Sequence, residues 1–178
     1  VIKWVAWWHS LPIETIGPVP ASGLKPQIGE IIADIVNSKE EFLLELPVLK
    51  LEREAIEHIY SLIRKSNFSN RLVVSHGDLH LGNFSIVDGQ LKILDWEHTH
   101  LNSPYWDLYH LIDMSHPLFP KQITSELRKQ FLEEYLAQLH FEVDSGSFMW
   151  EYYLFSAVFS IWMIGLIKKD LEAKEQRW

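Results

Sequence analysis

Between Phe84 and Leu94 the chain has little choice of fold. Phe84-Ser85-Ile86-Val87 and Leu91-Lys92-Ile93-Leu94 are short β-type runs that flank Asp88-Gly89-Gln90. Asp-Gly supplies the positive φ that a tight hairpin turn needs. A hairpin brings its two ends together, so Asp95, at the end of the second strand, returns beside Asn83, just before the first. Asn83 in turn closes the loop His76-Gly77-Asp78-Leu79-His80-Leu81-Gly82-Asn83, with Asp78 near its other end. Two carboxylates and one amide oxygen therefore converge from a single short stretch. Such hard oxygens suit Mg²⁺, which takes few protein ligands and leaves room for phosphate oxygens. Phosphoryl transfer needs that set, together with a carboxylate that orients the attacking hydroxyl.

The rest of the chain reads as helix, so the expected fold class is mainly α with a small β hairpin (α+β). Val1–His9, with Trp4, Trp7 and Trp8, forms a helix end, and Ser10–Pro26, with four prolines and two glycines, an extended loop. Gln27–Asn37 is apolar-periodic, and Ser38-Lys39-Glu40-Glu41 matches a capping box that starts a new helix. Pro47 interrupts it, and Leu49–Arg64 resumes. Leu72-Val73-Val74 is a strand, Ser103-Pro104 a helix start, and Thr124–Leu139 and Ser147–Glu172 are long helices. The aromatics of the last helix, Trp150, Tyr153, Phe155, Phe159 and Trp162, read as packing rather than a cation cage, and His98 and His100 as surface residues. Trp4, Trp7 and Trp8 fit either a core or an apolar surface left bare by a missing lobe.

Composition narrows the function. The chain has 178 residues, enough for one or two domains, and a formal charge of −8, which opposes nucleic-acid binding. It has no cysteine, which excludes a disulfide scaffold, a zinc finger and a thiol nucleophile. There is no secretory signal. Tyr152–Ile167, the most apolar stretch, falls short of the roughly 20 residues that span a bilayer and reads as a buried core helix. The expected location is cytoplasmic, with no membrane partner.

The spacing Asp78-x-x-x-x-Asn83, with Asp95 following, is that of the kinase catalytic loop. His-Gly-Asp-x-His-x-x-Asn followed by Ile93-Leu94-Asp95-Trp96-Glu97 resembles the aminoglycoside phosphotransferase and choline kinase superfamily, over about Leu72–Asp113. The resemblance implies an ATP- and Mg²⁺-dependent kinase of a small hydroxyl-bearing substrate, with Asp78 as catalytic base and Asn83 and Asp95 as metal ligands. His76 and Asp107 are implied as supports, and His80 reads as a further hydrogen-bonded support in the loop. Trp96-Glu97 replaces the Phe-Gly of protein kinases, and Glu97 is left as a neighbour of metal or substrate. Gly77 replaces their arginine, and Asp95 to Asp107 is too short for an activation segment; both favour a small-molecule kinase. The acidic balance suits a cationic substrate such as an aminoglycoside or choline.

No G-x-G-x-x-G and no nucleotide-clamping strand pair precede the loop, and the first residue is Val1. The expectation is therefore the C-terminal lobe of a protein-kinase-like fold with the N-terminal ATP lobe absent. Its parts are a helical region with a Pro-rich loop (1–70), the catalytic loop, metal hairpin and bracing helix (71–113), and the C-terminal helices (114–178). Two rivals remain. One is a non-catalytic kinase-like scaffold of the spore-coat type. The other is a metal-dependent phosphoesterase using Asp78, His80, Asp95, His98 and His100, although Leu81 stands where its Gly-Asp-x-His-Gly motif wants glycine.

Overall fold

Helix dominates because most of the apolar residues recur at helical spacing, and β pairing is confined to the middle of the chain, where the period drops to two. The computed structural model describes residues 1–16, 25–115 and 120–175. In order, the elements are α1 (Ile2–His9), α2 (Ile28–Asn37), α3 (Lys39–Leu49), α4 (Arg53–Lys65), β1 (Val73–Ser75), β2 (Phe84–Val87), β3 (Gln90–Ile93), β4 (His100–Asn102), α5 (Pro104–Ile112), α6 (Ser125–Ala137) and α7 (Ser145–Glu175). Most of the loop expected over Ser10–Pro26 lies outside the described residues.

The described chain divides into two compact units, each discontinuous in sequence. The first takes residues 1–26 and 69–149, the second residues 27–68 and 150–178, so α7 begins in one and continues in the other.

In the first unit, β1 pairs antiparallel with β4, with Val73 opposite Asn102 and Ser75 opposite His100. This second two-stranded sheet was not expected, and it corrects the placement of His100. The residue is fully buried, donating from Nδ1 to the His98 carbonyl (2.8 Å) and accepting at Nε2 from the Asn102 amide (2.9 Å). A three-residue strand carries too little pattern to be read from sequence, and its pairing partner lies about 25 residues away. His98 is half-buried. The expected hairpin is present as β2 and β3, with Phe84 opposite Ile93 and Val87 opposite Gln90. Asp88 and Gly89 form its two-residue turn at φ 52° and 74°, the left-handed pair that matches strand twist. Proline opens α5 where its missing N–H costs nothing, and Thr124 caps α6 by accepting from the Leu127 N–H (3.2 Å). α1 lies against α6 and β1, and buries Val5, Ala6 and Trp8 while leaving Trp4 and Trp7 exposed.

In the second unit, two expectations are corrected. Ser38 forms no capping box; its hydroxyl donates back to the Asp34 carbonyl (2.9 Å), because α2 and α3 are separated by that residue alone and it closes the first helix. At the start of α2, by contrast, the Gln27 N–H donates to Glu30 (2.7 Å). Pro47 does not interrupt α3. The carbonyl its ring leaves without a helical donor, that of Leu43, accepts from the Arg53 guanidinium (3.3 Å), and the helix ends instead at Lys50, in the left-handed region at φ 55°. Tyr60 donates to the Ile35 carbonyl (3.1 Å), and burial pushes its phenol up to about 12. Along α7, Phe155 and Phe159 pack as expected, whereas Trp150 and Tyr153 are exposed. Trp162 donates from its indole to Asp34 (3.0 Å). Lys168 pairs with Glu45 (2.8 Å), Glu41 and Glu172. α7 runs for 31 residues and is, by length and composition alone, long enough to cross a membrane.

Two predictions follow from local physics. Nothing lies near the position a Cβ would take on Gly89, so Gly89→Ala costs only the left-handed backbone, about 1 kcal/mol. At Gly77, φ is 86° and a Cβ would run into the carbonyl of His98, so Gly77→Ala costs several times that; urea midpoints of the two variants separate the effects. Burial also lowers the pKa of His100 and of His110, which donates from Nδ1 to the Trp106 carbonyl (2.8 Å). The unfolded chain takes up protons near pH 6.5 that the folded chain refuses. Their contribution is therefore full above that pH and lost as pH falls below it. A melting temperature that stays constant from about pH 7.5 to about pH 5.5 would exclude it.

Candidate active site

The loop between β1 and β2 is held from below by α5. Asp107 is fully buried in α5, and four groups donate to its carboxylate: the Ser75 hydroxyl (2.7 Å), the His76 N–H (2.8 Å), the Gly77 N–H (3.1 Å) and His9 Nε2 (3.1 Å). Burial alone would raise its pKa, but the hydrogen bonds from His9, His76 and Ser75 outweigh it and hold the carboxyl well below the usual range. One residue earlier, the Trp106 indole donates to the Gly77 carbonyl (2.9 Å). The peptide entering the loop is thus clamped on both its N–H and its C=O side. Gly77 is glycine because positive φ and the His98 backbone leave no room for a side chain. That supplies a steric reason for the missing arginine.

Within the loop, His76 accepts the Asp78 N–H at Nδ1 (3.3 Å), so its proton is on Nε2, which donates to the Leu94 carbonyl (2.8 Å). This ties the start of the loop to the end of the hairpin. Trp96 packs on the His76 ring at 4.6 Å and on Trp8 at 5.2 Å. The Asp78 carbonyl accepts from the Asn83 amide nitrogen (2.8 Å) and from the His80 N–H (3.0 Å). The Asp78 carboxylate itself accepts no hydrogen bond from the described residues. His80 accepts the Gly82 N–H at Nδ1 (2.9 Å), which leaves its Nε2–H 3.6 Å from Asp78 Oδ2, beyond hydrogen-bond range.

Across the hairpin, the Leu94 N–H donates to the Asn83 carbonyl (2.8 Å), one step beyond the Phe84–Ile93 pair. Asp95 is the next residue, exposed and in the left-handed region at φ 61°. A non-glycine residue there marks local strain of the kind that collects at functional sites. The Asn83 amide nitrogen is engaged with the Asp78 carbonyl, and its oxygen Oδ1 accepts no hydrogen bond from the described residues. Glu97 is 72% exposed at its side chain and stands 3.6 Å from His98 Nε2.

Each residue singled out in the sequence therefore has a place. The Asn83 side-chain amide joins Asn83 to the Asp78 carbonyl, and the Leu94 N–H on the Asn83 carbonyl brings the following residue, Asp95, to the same end of the hairpin. His76, His80 and Asp107 support the loop, and Glu97 is exposed beside His98. His100, needed by the phosphoesterase reading, has both ring nitrogens engaged inside the first unit. No three His, Cys, Asp or Glu side chains gather as a metal cage among the described residues. Sequence reasoning missed His9, Ser75 and Trp106. A histidine ending the apolar helix Ile2–His9 was the available signal, since a polar group on a buried face needs a partner.

Comparison with known proteins identifies the family. The model of the phosphotransferase enzyme family matches residues 5–149. A macrolide 2′-phosphotransferase type I shares the fold, with TM-score 0.60 and 17% identity over 95% of this chain and 52% of its own. A choline kinase from Cryptosporidium parvum aligns at TM-score 0.49 and 16% identity, covering 98% of this chain and 65% of its own. An aminoglycoside phosphotransferase from Streptomyces rimosus aligns at TM-score 0.47 and 19% identity, covering 88% of this chain and 59% of its own. The chain thus spans between about half and two thirds of the length of these solved structures. Comparison with curated proteins finds no match. The span matched by the family model, residues 5–149, covers most of this chain, which therefore belongs to the phosphotransferase enzyme family.

Proposed function

We propose that residues 1–178 are the C-terminal lobe of an ATP- and Mg²⁺-dependent kinase that transfers the γ-phosphate to a hydroxyl of a small molecule. The observation that carries this reading is the hydrogen bond from the Leu94 N–H to the Asn83 carbonyl. It sets Asp95 beside Asn83, while the Asn83 amide clasps the Asp78 carbonyl. Asp78 is the base: its carboxylate has open lone pairs for a hydroxyl proton, and the backbone on either side of it is tied down.

Asn83 Oδ1 and the Asp95 carboxylate fit Mg²⁺, being hard oxygens in a site that offers few protein ligands. When bound with nucleotide, the cation neutralises phosphate charge. Asp95 is held for that role between Leu94, whose carbonyl binds His76, and Trp96, whose indole donates to the Ile93 carbonyl (3.2 Å). His76 and Asp107 fix the loop backbone, and Glu97 is a rim group facing metal or substrate. The nucleotide lobe lies outside residues 1–178, a reading supported by the 52% of the macrolide phosphotransferase that this chain covers. The net charge of −8 favours a cationic acceptor, and no nucleic acid or membrane is required. ATP as co-substrate suits a cytoplasmic enzyme.

The test uses the polypeptide that carries these residues together with its nucleotide lobe. Asp78→Asn should lower kcat by about a thousandfold with Mg-ATP affinity kept. Turnover unchanged by that variant refutes the base assignment, and a parent that neither binds nor turns over Mg-ATP favours the scaffold. Asp95→Asn, which tolerates the left-handed backbone, should weaken Mg-nucleotide binding at least about tenfold in calorimetry while the melting curve stays put. Global unfolding instead would make Asp95 structural.

Asp107→Asn should lower kcat with KM unchanged and cost about 3 kcal/mol at neutral pH. Because the Asp107 pKa is depressed on folding, its contribution is present above the unfolded value near pH 4 and lost as pH falls further. The variant should lack that acid-side loss, which a urea titration at successive pH values will show.

A further inference from the structure

We propose that Tyr135 is a positioning residue for the catalytic loop, acting by anchoring the His9 ring at Nδ1 so that its Nε2–H stays on Asp107. The inference rests on the reading of Asp78 as base, but its first observations do not. Tyr135, in α6, and His9, in α1, are 126 residues apart and both buried. The Tyr135 hydroxyl lies 2.9 Å from His9 Nδ1, and His9 Nε2 lies 3.1 Å from Asp107 Oδ2. Among the described residues, these are the only hydrogen bonds of the phenol and of the imidazole.

Three placements of the protons are open, and two fail. With the proton on Nδ1, the Nε2 lone pair would face a buried carboxylate. With both nitrogens protonated, the Tyr135 oxygen would have to accept, and its own proton would be left in the core with no acceptor. Only the phenol donating to Nδ1, with His9 donating from Nε2, gives every proton a partner. Burial raises the phenol well above its ordinary range, which keeps the donor in place.

The consequence reaches the proposed base in three steps. Tyr135 anchors the His9 ring at Nδ1; the Nε2–H then completes the four donors on Asp107; and Asp107 holds the His76 and Gly77 amides directly before Asp78. The Tyr135 ring is fixed by stacking on Phe148 at 5.5 Å, so the hydroxyl is presented from a rigid wall. Removing it leaves the His9 ring held at Nε2 alone and loosens the loop without touching any group that meets substrate.

The experiment reads the ring nitrogens of His9 by long-range ¹H–¹⁵N NMR and turnover by steady-state kinetics. The wild-type spectrum needs no variant: Nε2 should be protonated and Nδ1 should be an unprotonated acceptor, and a protonated Nδ1 overturns the proposal. Tyr135→Phe keeps the ring stack and should speed exchange of the His9 Nε2 proton with solvent, with kcat down about tenfold and both KM values unchanged. In a His9→Ala background the same substitution should cause no further loss of kcat. An Nε2 proton that exchanges as slowly as in the wild type, an unchanged kcat, or equal losses in the two backgrounds would each show that Tyr135 is only a packing residue. Absence of phosphoryl transfer in the wild-type protein would instead bring down the base assignment, and the positioning role with it, while leaving the tautomer result standing.

Discussion

A carboxylate taken wholly out of water is costly, by several kcal/mol unless its lone pairs are met. Asp107 is such a group, and it is met by donors from three places: His9 at the end of α1, Ser75 at the end of β1, and the two peptides that begin the loop. The start of the loop therefore cannot take its shape on its own. It depends on α1 and α5 having already packed around β1, and it inherits their rigidity.

Around Asp78, Asn83 and Asp95 the logic is reversed. Their peptides are tied by hydrogen bonds to His76, Asn83 and Leu94, while the carboxylates and the Asn83 amide oxygen are left unengaged. Backbone held and side-chain oxygens open is the arrangement expected of groups that meet a cation and a hydroxyl rather than one another. Asp95, a non-glycine residue in the left-handed region, is where the chain accepts strain to make that arrangement. Gly77 takes its positive φ without strain because it has no Cβ, and the His98 backbone closes the position to any side chain.

Much of this could be read in advance. The Asp88-Gly89 turn between two strand-like runs gives the hairpin, and the hairpin's register brings Asp95 to Asn83. The helices over 28–37, 104–112, 125–137 and 145–175 follow from periodicity and their start signals. What failed was local. The Ser38 pattern is a sound capping box in isolation, but α2 runs into it and uses the same residue as its end. Pro47 breaks a helix only if nothing satisfies the carbonyl it frees, and Arg53 does. β4 is three residues long and has no signal until β1, Val73–Ser75, is brought to it.

The identity of the oxygen-bearing residues and their meeting at one hairpin end were determined by the sequence, because residues fewer than twenty apart are joined by a single turn of known geometry. The support beneath them was decided only by tertiary structure. His9, Tyr135 and Asp107 come from helices far apart in the chain, and nothing local marks them as partners. Burial is what couples them: once α1, α5 and α6 pack and exclude water, each polar group must find another, and the set that satisfies all of them is available only in the folded chain.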